Sequence, residues 1–348
     1  MVRDDARRLD RCLLSLRDHV DEIVVLDTGS VDNTIEVARQ HQARVHQIEW
    51  PNHFAKALNV LLGYVETAWT LRLDSDEWFS ADQVPALANM RCEGSAAAFR
   101  LIRRDLAVNG KFGEIFVTRM WRTHERIRYE GAVHEAIAME AFSEAWPGKE
   151  VIPTQTYFWH DGYTTDMAAK TQRNIDLLRE EIKASPGRLD AEAMLATTLQ
   201  SRNDPEGMHK LQDLMAKLVA NDYVHPPAHV ALAIAMYMSA MPESEIRSKQ
   251  TSILLQRATE WFPRNSAILY YAGILAKERG DLEGALRYLL SLEERAKLKD
   301  YDRTTSLPPE FLEEKLWNAL GFVAMRLGRS DIVERCNRQM IMLRQRQR

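Results

Sequence analysis

Two carboxylates one residue apart, Asp74 and Asp76, follow the apolar run Leu71-Arg72-Leu73. On an extended segment, residues i and i+2 share a face, so the pair would present two acids together with no basic residue inside the motif. A divalent cation relieves that repulsion. Hard oxygen ligands suit Mn2+ or Mg2+, which takes one or two carboxylates and fills its shell with phosphate oxygens and water. An Asp-x-Asp pair on its own is more often a solvated turn; its place at the end of a buried strand is what raises it to a site. Asp27 stands at a similar place, after Glu22-Ile23-Val24-Val25-Leu26 and before Thr28-Gly29-Ser30, where an acid also serves as a turn former or helix cap.

The elements that must carry these residues follow from periodicity. The run at 22–26 reads as a buried parallel strand. Asp32-Asn33-Thr34 starts a helix to about Gln42, Arg44–Ile48 is a strand, Phe54–Val65 a helix and Trp69–Leu73 a strand. This βαβαβ alternation predicts a parallel sheet with helices on both faces, whose ligands sit at the carboxyl ends of the strands. From Ala96 to His160 the runs lengthen and alternate: Ala97–Arg103, Ile115–Arg122 and Ile152–Trp159 predict mixed or antiparallel strands. A helical period runs from Tyr163 to Ala184, and Pro186-Gly187 closes it.

Beyond about residue 189 the chain reads as helices with an internal repeat. Trp317-x-x-Leu320-Gly321, with Ala324 and Gly328 behind it, matches the tetratricopeptide helix-A signature. Leu269, Ala272-Gly273, Ala276, Gly280 and Ala285 form a second copy, and Ala258 with Pro263 implies a third. Small residues at these points let paired helices approach closely. The period is broken by an insertion around Lys297–Pro309.

Composition narrows the function classes. The 348 residues carry a net charge of −4, with 45% hydrophobic and 28% charged residues, an ordinary globular balance. An acidic total argues against a protein that neutralises nucleic-acid phosphates. No apolar stretch approaches the roughly 18 residues of a membrane span. Cys12, Cys92 and Cys336 are too few and too scattered for a disulfide framework, which with a charged N-terminus predicts a cytoplasmic protein.

Several blocks, taken in order, resemble the family-2 glycosyltransferases. Val20 through Thr34, with Leu26-Asp27-Thr28-Gly29-Ser30 at its centre, looks like that family's nucleotide-sugar-binding start. Trp69 through Glu77 resembles its W-x-L-x-L-D-x-D-E. Arg119-Met120-Trp121-Arg122, Ile127 through Glu135 and Trp159-His160-Asp161-Gly162-Tyr163 resemble later blocks of the branch that carries tetratricopeptide repeats. The resemblance implies an α/β GT-A fold, a Rossmann-like mixed sheet, over 1–185, followed by an all-α tetratricopeptide-like domain over 186–348. It implies transfer of a sugar from a nucleoside diphosphate, a UDP-sugar for preference, with inversion at the anomeric carbon.

The resemblance also distributes roles. Asp27 would contact the nucleobase, Asp74 the ribose or the metal's water shell, and Asp76 the metal. Asp5 and Ser75 join the nucleotide-sugar contacts. Glu135 would be the general base, since an inverting displacement removes one acceptor proton; His134 beside it is the second choice. His160 would complete the metal shell or touch the diphosphate, although a lone histidine is more often structural. Arg122 or Arg128, within the cluster Arg119, Arg122, Arg126 and Arg128, would steady the diphosphate with a forked donor, against a solvated strand face as the plain alternative. The repeats would hold a peptide, protein or glycan acceptor or form a homodimer.

Two departures stand out. Only Met1-Val2-Arg3 precedes Asp4-Asp5 where the family places its first strand, which predicts either a chain start set too far downstream or a sheet with an exposed edge. Leu58 stands where the family has an arginine before Asn59, which bears on the nucleobase or diphosphate contacts. Both features support a rival reading, a non-enzymatic helical-repeat interaction protein with a degenerate transferase domain; the joint retention of Asp27, Asp74, Asp76, Glu135 and His160 opposes it.

Overall fold

A computed structural model describes residues 1–106, 112–162, 167–298 and 313–346. Tyr163, and most of the insertion expected around Lys297–Pro309, lie outside them. The chain forms two compact units, Met1–Glu181 and Ile182–Arg348.

In the first unit, β1 (Val24–Asp27) and β2 (Arg44–Gln47) pair in parallel around α2 (Thr34–Gln40), as the sequence predicts. Val25 and Ala38 pack with Leu9 of α1 (Ala6–Leu14). The next strand departs from expectation. β3 (Trp69–Leu71) does not extend a parallel sheet from β1; it ends a five-stranded mixed sheet ordered β3-β6-β5-β9-β4. Its partner is β6 (Phe112–Arg122), antiparallel, with Leu71 opposite Met120. The physical reason is local. The place beside β1 is held by one residue, Val2, which bridges Asp27 and is too short to carry the ladder across to β3.

The long alternating runs behave as predicted. β5 (Ala96–Leu106) pairs antiparallel with β6 and parallel with β9 (Glu150–His160). β4 (Glu77–Trp78) pairs with the end of β9, Glu77 opposite His160. One face of this sheet buries Leu101, Met120 and Phe158. The other buries Trp121 against Ile127, Phe142 and Leu58 of α3 (Phe54–Leu62). Leu58 is therefore a core residue, and Asn59 beside it is spent on the backbone, its amide bonding both the N–H and the carbonyl of Tyr129.

The second unit consists of helical hairpins. After α6 (Met167–Ala184), most of which belongs to the first unit, come α7 (Leu189–Ser201), α8 (Pro205–Ala220), α9 (Ala228–Ala240), α10 (Lys249–Trp261), α11 (Ser266–Glu278), α12 (Leu282–Leu298), α13 (Glu314–Arg326) and α14 (Ser330–Arg346). The recognised copies fall on α11–α12 and α13–α14, with Gly280 and Gly328 at positive φ in the turns, where a side chain is disfavoured. Ala258 is buried in α10. The α7–α8 hairpin escaped the sequence reading. Its signal is Gly207, where a Cβ would lie 2.5 Å from the Gln200 nitrogen.

Gly207→Ala should therefore lower stability by about 1–3 kcal/mol, because the obstacle is rigid backbone. Gly321→Ala on α13 meets only Cys336 at 3.4 Å and should stay within about 1 kcal/mol of the parent. Urea unfolding of the two variants side by side measures the difference.

Candidate functional site

The sequence residues Asp74-Ser75-Asp76 leave β3 but do not continue it. Glu77 N–H donates to the Asp74 carbonyl at 3.0 Å, closing a turn, so the two carboxylates part rather than share a face. This corrects the extended-segment expectation, and each acid has a different fate.

Asp74 faces inward and is neutralised. Arg72 donates to it at 2.8 Å and Arg119 at 3.1 Å. Burial would raise its pKa, but the two guanidiniums outweigh burial and hold it well below the usual carboxylate range. Arg119 also donates to Glu77 at 2.5 Å and Arg72 to Glu135 at 2.6 Å. Burial pushes the Glu77 carboxyl upward, with Arg119 offsetting part of the effect. Two arginines thus serve three carboxylates, and Glu135 is drawn to the end of β3 from a loop that turns at Gly131 and His134, both at positive φ.

Asp76 faces the end of β9. Its Oδ2 lies 3.6 Å from His160 Nε2, and His160 Nδ1 lies 2.7 Å from Asp105 Oδ1 at the end of β5. Arg103 in turn holds Asp105 at 2.7 Å. The imidazole sits between two carboxylates: burial lowers its pKa, but its hydrogen bonds to Asp105 and Asp76 prevail and raise it to about 9. His160 holds Asp76 below the usual carboxylate range against the effect of burial. A carboxylate on Nδ1 fixes the orientation of the ring, and Nε2 faces Asp76. Gly162 lies over the pair: a Cβ there would collide with Asp76 Oδ2 and sit 2.5 Å from His160 Nε2.

Asp27 is fully buried at the end of β1. Its Oδ1 accepts from the Gly29 and Ser30 amides at 3.0 and 3.1 Å. Its Oδ2 has no hydrogen-bond partner among the described residues, which in a native site calls for an explanation such as a ligand or water. The loop after Asp27 is stitched to the start of α1: Asp4 N–H donates to Ser30 Oγ, and Asp5 N–H to Thr34 Oγ1. Ser75 Oγ then donates to Asp5 Oδ2 at 2.7 Å, and Asp161 N–H donates to the Asp76 carbonyl. Hydrogen bonds thus tie Asp27's loop to Asp5 and Asp5 to Ser75, while the chain neighbour Asp76 meets the end of β9 through Asp161 N–H and the His160 ion pair.

Arg122 is not part of this set. Its guanidinium donates to the Ala96 and Glu93 carbonyls and stacks on Trp69, at the opposite end of β3 from the acids. Arg128 donates to the Ile127 carbonyl. The cation that reaches the acids from the cluster is Arg119. Asp105 was also missed, because a single acid ending a strand has no motif; only its pairing with β9 brings it to His160. Asp161, held by Arg8 and Arg11 at 3.2 and 2.8 Å, joins α1 to the end of β9.

Among the described residues no three His, Cys, Asp or Glu side chains form a ready metal cluster. Asp74, Glu77, Glu135 and Asp161 are paired with arginines, whereas Asp76 is paired with His160. No helix among the described residues is long and apolar enough to cross a membrane.

Residues 2–140 match the profile of glycosyl transferase family 2. A TPR repeat-containing protein of Synechococcus elongatus is 26% identical over 84% of this chain and 65% of its own length. The glycosyltransferase SunS of a Bacillus subtilis prophage is 25% identical over 53% of this chain and 44% of its own. The chain thus spans less than two thirds of either relative. The S. aureus TarS fragment 1–349, solved with UDP-GlcNAc, aligns over 86% of this chain and 90% of its own, with 13% identity and a TM-score of 0.39.

The raised His160 pKa ties stability to pH. A group titrating near 9 when folded and near 6.5 when unfolded contributes fully below about pH 6.5 and loses its contribution as pH rises through 9. In the ligand-free chain this amounts to on the order of 2–3 kcal/mol. Urea unfolding at pH 6 and pH 10 should show a smaller loss for His160→Gln than for the parent.

Proposed function

We propose that the chain, whose residues 2–140 match the family-2 profile ahead of a tetratricopeptide-like helical region, is an inverting, metal-dependent glycosyltransferase. Its donor is a nucleoside-diphosphate sugar, a UDP-sugar for preference, and its acceptor a peptide or protein presented by the helical repeats. The observation that carries this reading is the division of the acids. Arginine neutralises Asp74 and Glu77 and holds Glu135 by its Oε1 alone, while Asp27 Oδ2 has no hydrogen-bond partner among the described residues and Asp76 stands 3.6 Å from His160.

Each residue then has a role that its chemistry supports. Asp27 Oδ2 accepts a hydrogen bond from the nucleobase edge. Asp5 and Ser75, bonded to one another, line the path from base to diphosphate. Asp76 Oδ2 and His160 Nε2 would hold Mn2+ or Mg2+, which supplies positive charge for the diphosphate leaving group. Asp105 keeps the His160 ring in place by its Nδ1 contact. Glu135 is the base: it takes the proton of the acceptor nucleophile as the anomeric carbon is attacked from the face opposite the diphosphate. Arg72, at 2.6 Å, fixes the direction of that carboxylate. Arg119 neutralises Asp74 and Glu77 behind the metal pair, which lowers the repulsion an incoming diphosphate meets.

The test is Mn2+-dependent hydrolysis of UDP-sugars, read as UDP release. Asp76→Ala should reduce the rate by at least roughly a hundredfold. Gly162→Ala should raise the Mn2+ concentration needed for half-maximal rate without a comparable change in melting temperature. Parent and Asp76→Ala equally silent across several donors would favour the helical-repeat interaction protein.

A further inference from the structure

The negative charge on a diphosphate leaving group grows as the sugar departs, and it needs positive charge set in place beforehand. Most of the cations around the site already have partners. Arg72 and Arg119 serve Asp74, Glu77 and Glu135. Arg8 and Arg11 hold Asp161, and Arg103 holds Asp105. Arg122 and Arg128, the two that the sequence nominates for the diphosphate, donate to main-chain carbonyls.

Lys170 of α6 is the exception. Its Nζ donates to the Gly162 carbonyl at 3.5 Å, a long hydrogen bond, and it has no carboxylate partner among the described residues. Gly162 covers Asp76 Oδ2 and His160 Nε2 so closely that a Cβ there would collide with both. The Lys170 amino group therefore stands at the rim of that pair. Its charge reaches Asp76: burial raises that carboxyl's pKa, and His160 first, then Lys170, draw it down.

The helix that carries Lys170 is anchored along its length. Ile175 and Leu178 are buried, the Arg173 guanidinium lies over the Phe54 ring at 5.0 Å, and Glu181 Oε2 accepts from Ala132 N–H at 3.0 Å. Lys170 and Glu181 are about three helical turns apart and so share a face. That face runs from Gly162 to the loop that carries Glu135. An ammonium on a flexible four-carbon stem can move from a carbonyl to a nearby phosphate oxygen while the backbone stays still. An arginine already bound to a buried carboxylate cannot, because its departure leaves an uncompensated charge inside.

We propose that Lys170 is the protein's own cation for the leaving diphosphate, its ammonium exchanging the Gly162 carbonyl for an oxygen of the phosphate that bears the sugar. The proposal rests on the transferase reading of the site and adds to it the residue that meets the leaving-group charge. As the anomeric carbon bonds the acceptor nucleophile, the bond to the phosphate oxygen breaks and its electron pair stays on that phosphate. The acceptor's proton goes to Glu135. Lys170 donates a hydrogen bond throughout and transfers no proton.

Calorimetric titration of UDP and of UMP in the presence of Mn2+ tests it, on the full chain, Lys170→Met and Lys170→Arg. UMP lacks the second phosphate and so reads every contact except the one proposed. The parent should bind UDP more tightly than UMP. Lys170→Met should weaken UDP at least roughly tenfold and leave UMP within about twofold, whereas Lys170→Arg, which keeps the charge, should recover most of the loss. Melting temperatures should stay within about 2 °C of the parent, because the side chain is partly exposed and makes one long hydrogen bond. Unchanged UDP affinity in Lys170→Met overturns the proposal and leaves the transferase reading standing. Equal losses for UDP and UMP also overturn it, since a displaced helix and not a missing charge would then be the cause. A parent that binds neither nucleotide removes the donor reading itself, and the proposal with it.

Discussion

The first unit depends on two buried guanidiniums. Arg72 leaves the end of β3 and Arg119 lies on β6, and between them they bind Asp74, Glu77 and Glu135 at 2.5–3.1 Å. An ion pair of this kind contributes little net stability, because desolvating the charges costs nearly what their attraction returns, but loss of one partner leaves an uncompensated charge inside. What the cluster supplies is position. It fastens a strand end, the turn that follows it and a loop 60 residues away to one point, and it decides which acids are available for chemistry.

That division explains how far the sequence could be read. The strands at 24–27, 44–47 and 69–71 and the long pairs at 96–160 were legible because a buried strand needs an apolar run and a turn to end it. Asp27 and His160 stand out in the sequence because each closes an apolar run, and Asp76 because it follows one, in the turn between β3 and β4. The fate of Asp74 was not legible. Asp-x-Asp looks like two equivalent ligands until the turn closed by Glu77 separates them and Arg72, two residues back, claims the first. Arg119 and Arg122 look alike in sequence, yet the guanidinium of one reaches the acids and that of the other the Ala96 carbonyl. Their three-residue separation is read only once β6 is paired with β3. Asp105 carried no local sign at all, since its meaning comes from a parallel ladder that sets it against His160, 55 residues later.

The helical unit taught a similar lesson in a different currency. Recognisable copies carry a glycine in the turn and small residues where helices touch, and α11–α12 and α13–α14 have both. The α7–α8 pair depends on one glycine pressed against backbone, a single contact with no recurring pattern around it. Close approach without repetition is easily passed over.

The ladder between β4 and β9 sets Glu77 opposite His160 and Trp78 opposite Trp159, so Asp76 and the imidazole meet through main-chain register rather than through long, adjustable side chains. Accuracy at the site is thereby inherited from the sheet. A slip of one residue would present an indole where the imidazole stands, with no intermediate setting available. The geometry of the Asp76–His160 pair is therefore digital: intact while the strands are paired, and abolished with them, with little room for gradual drift.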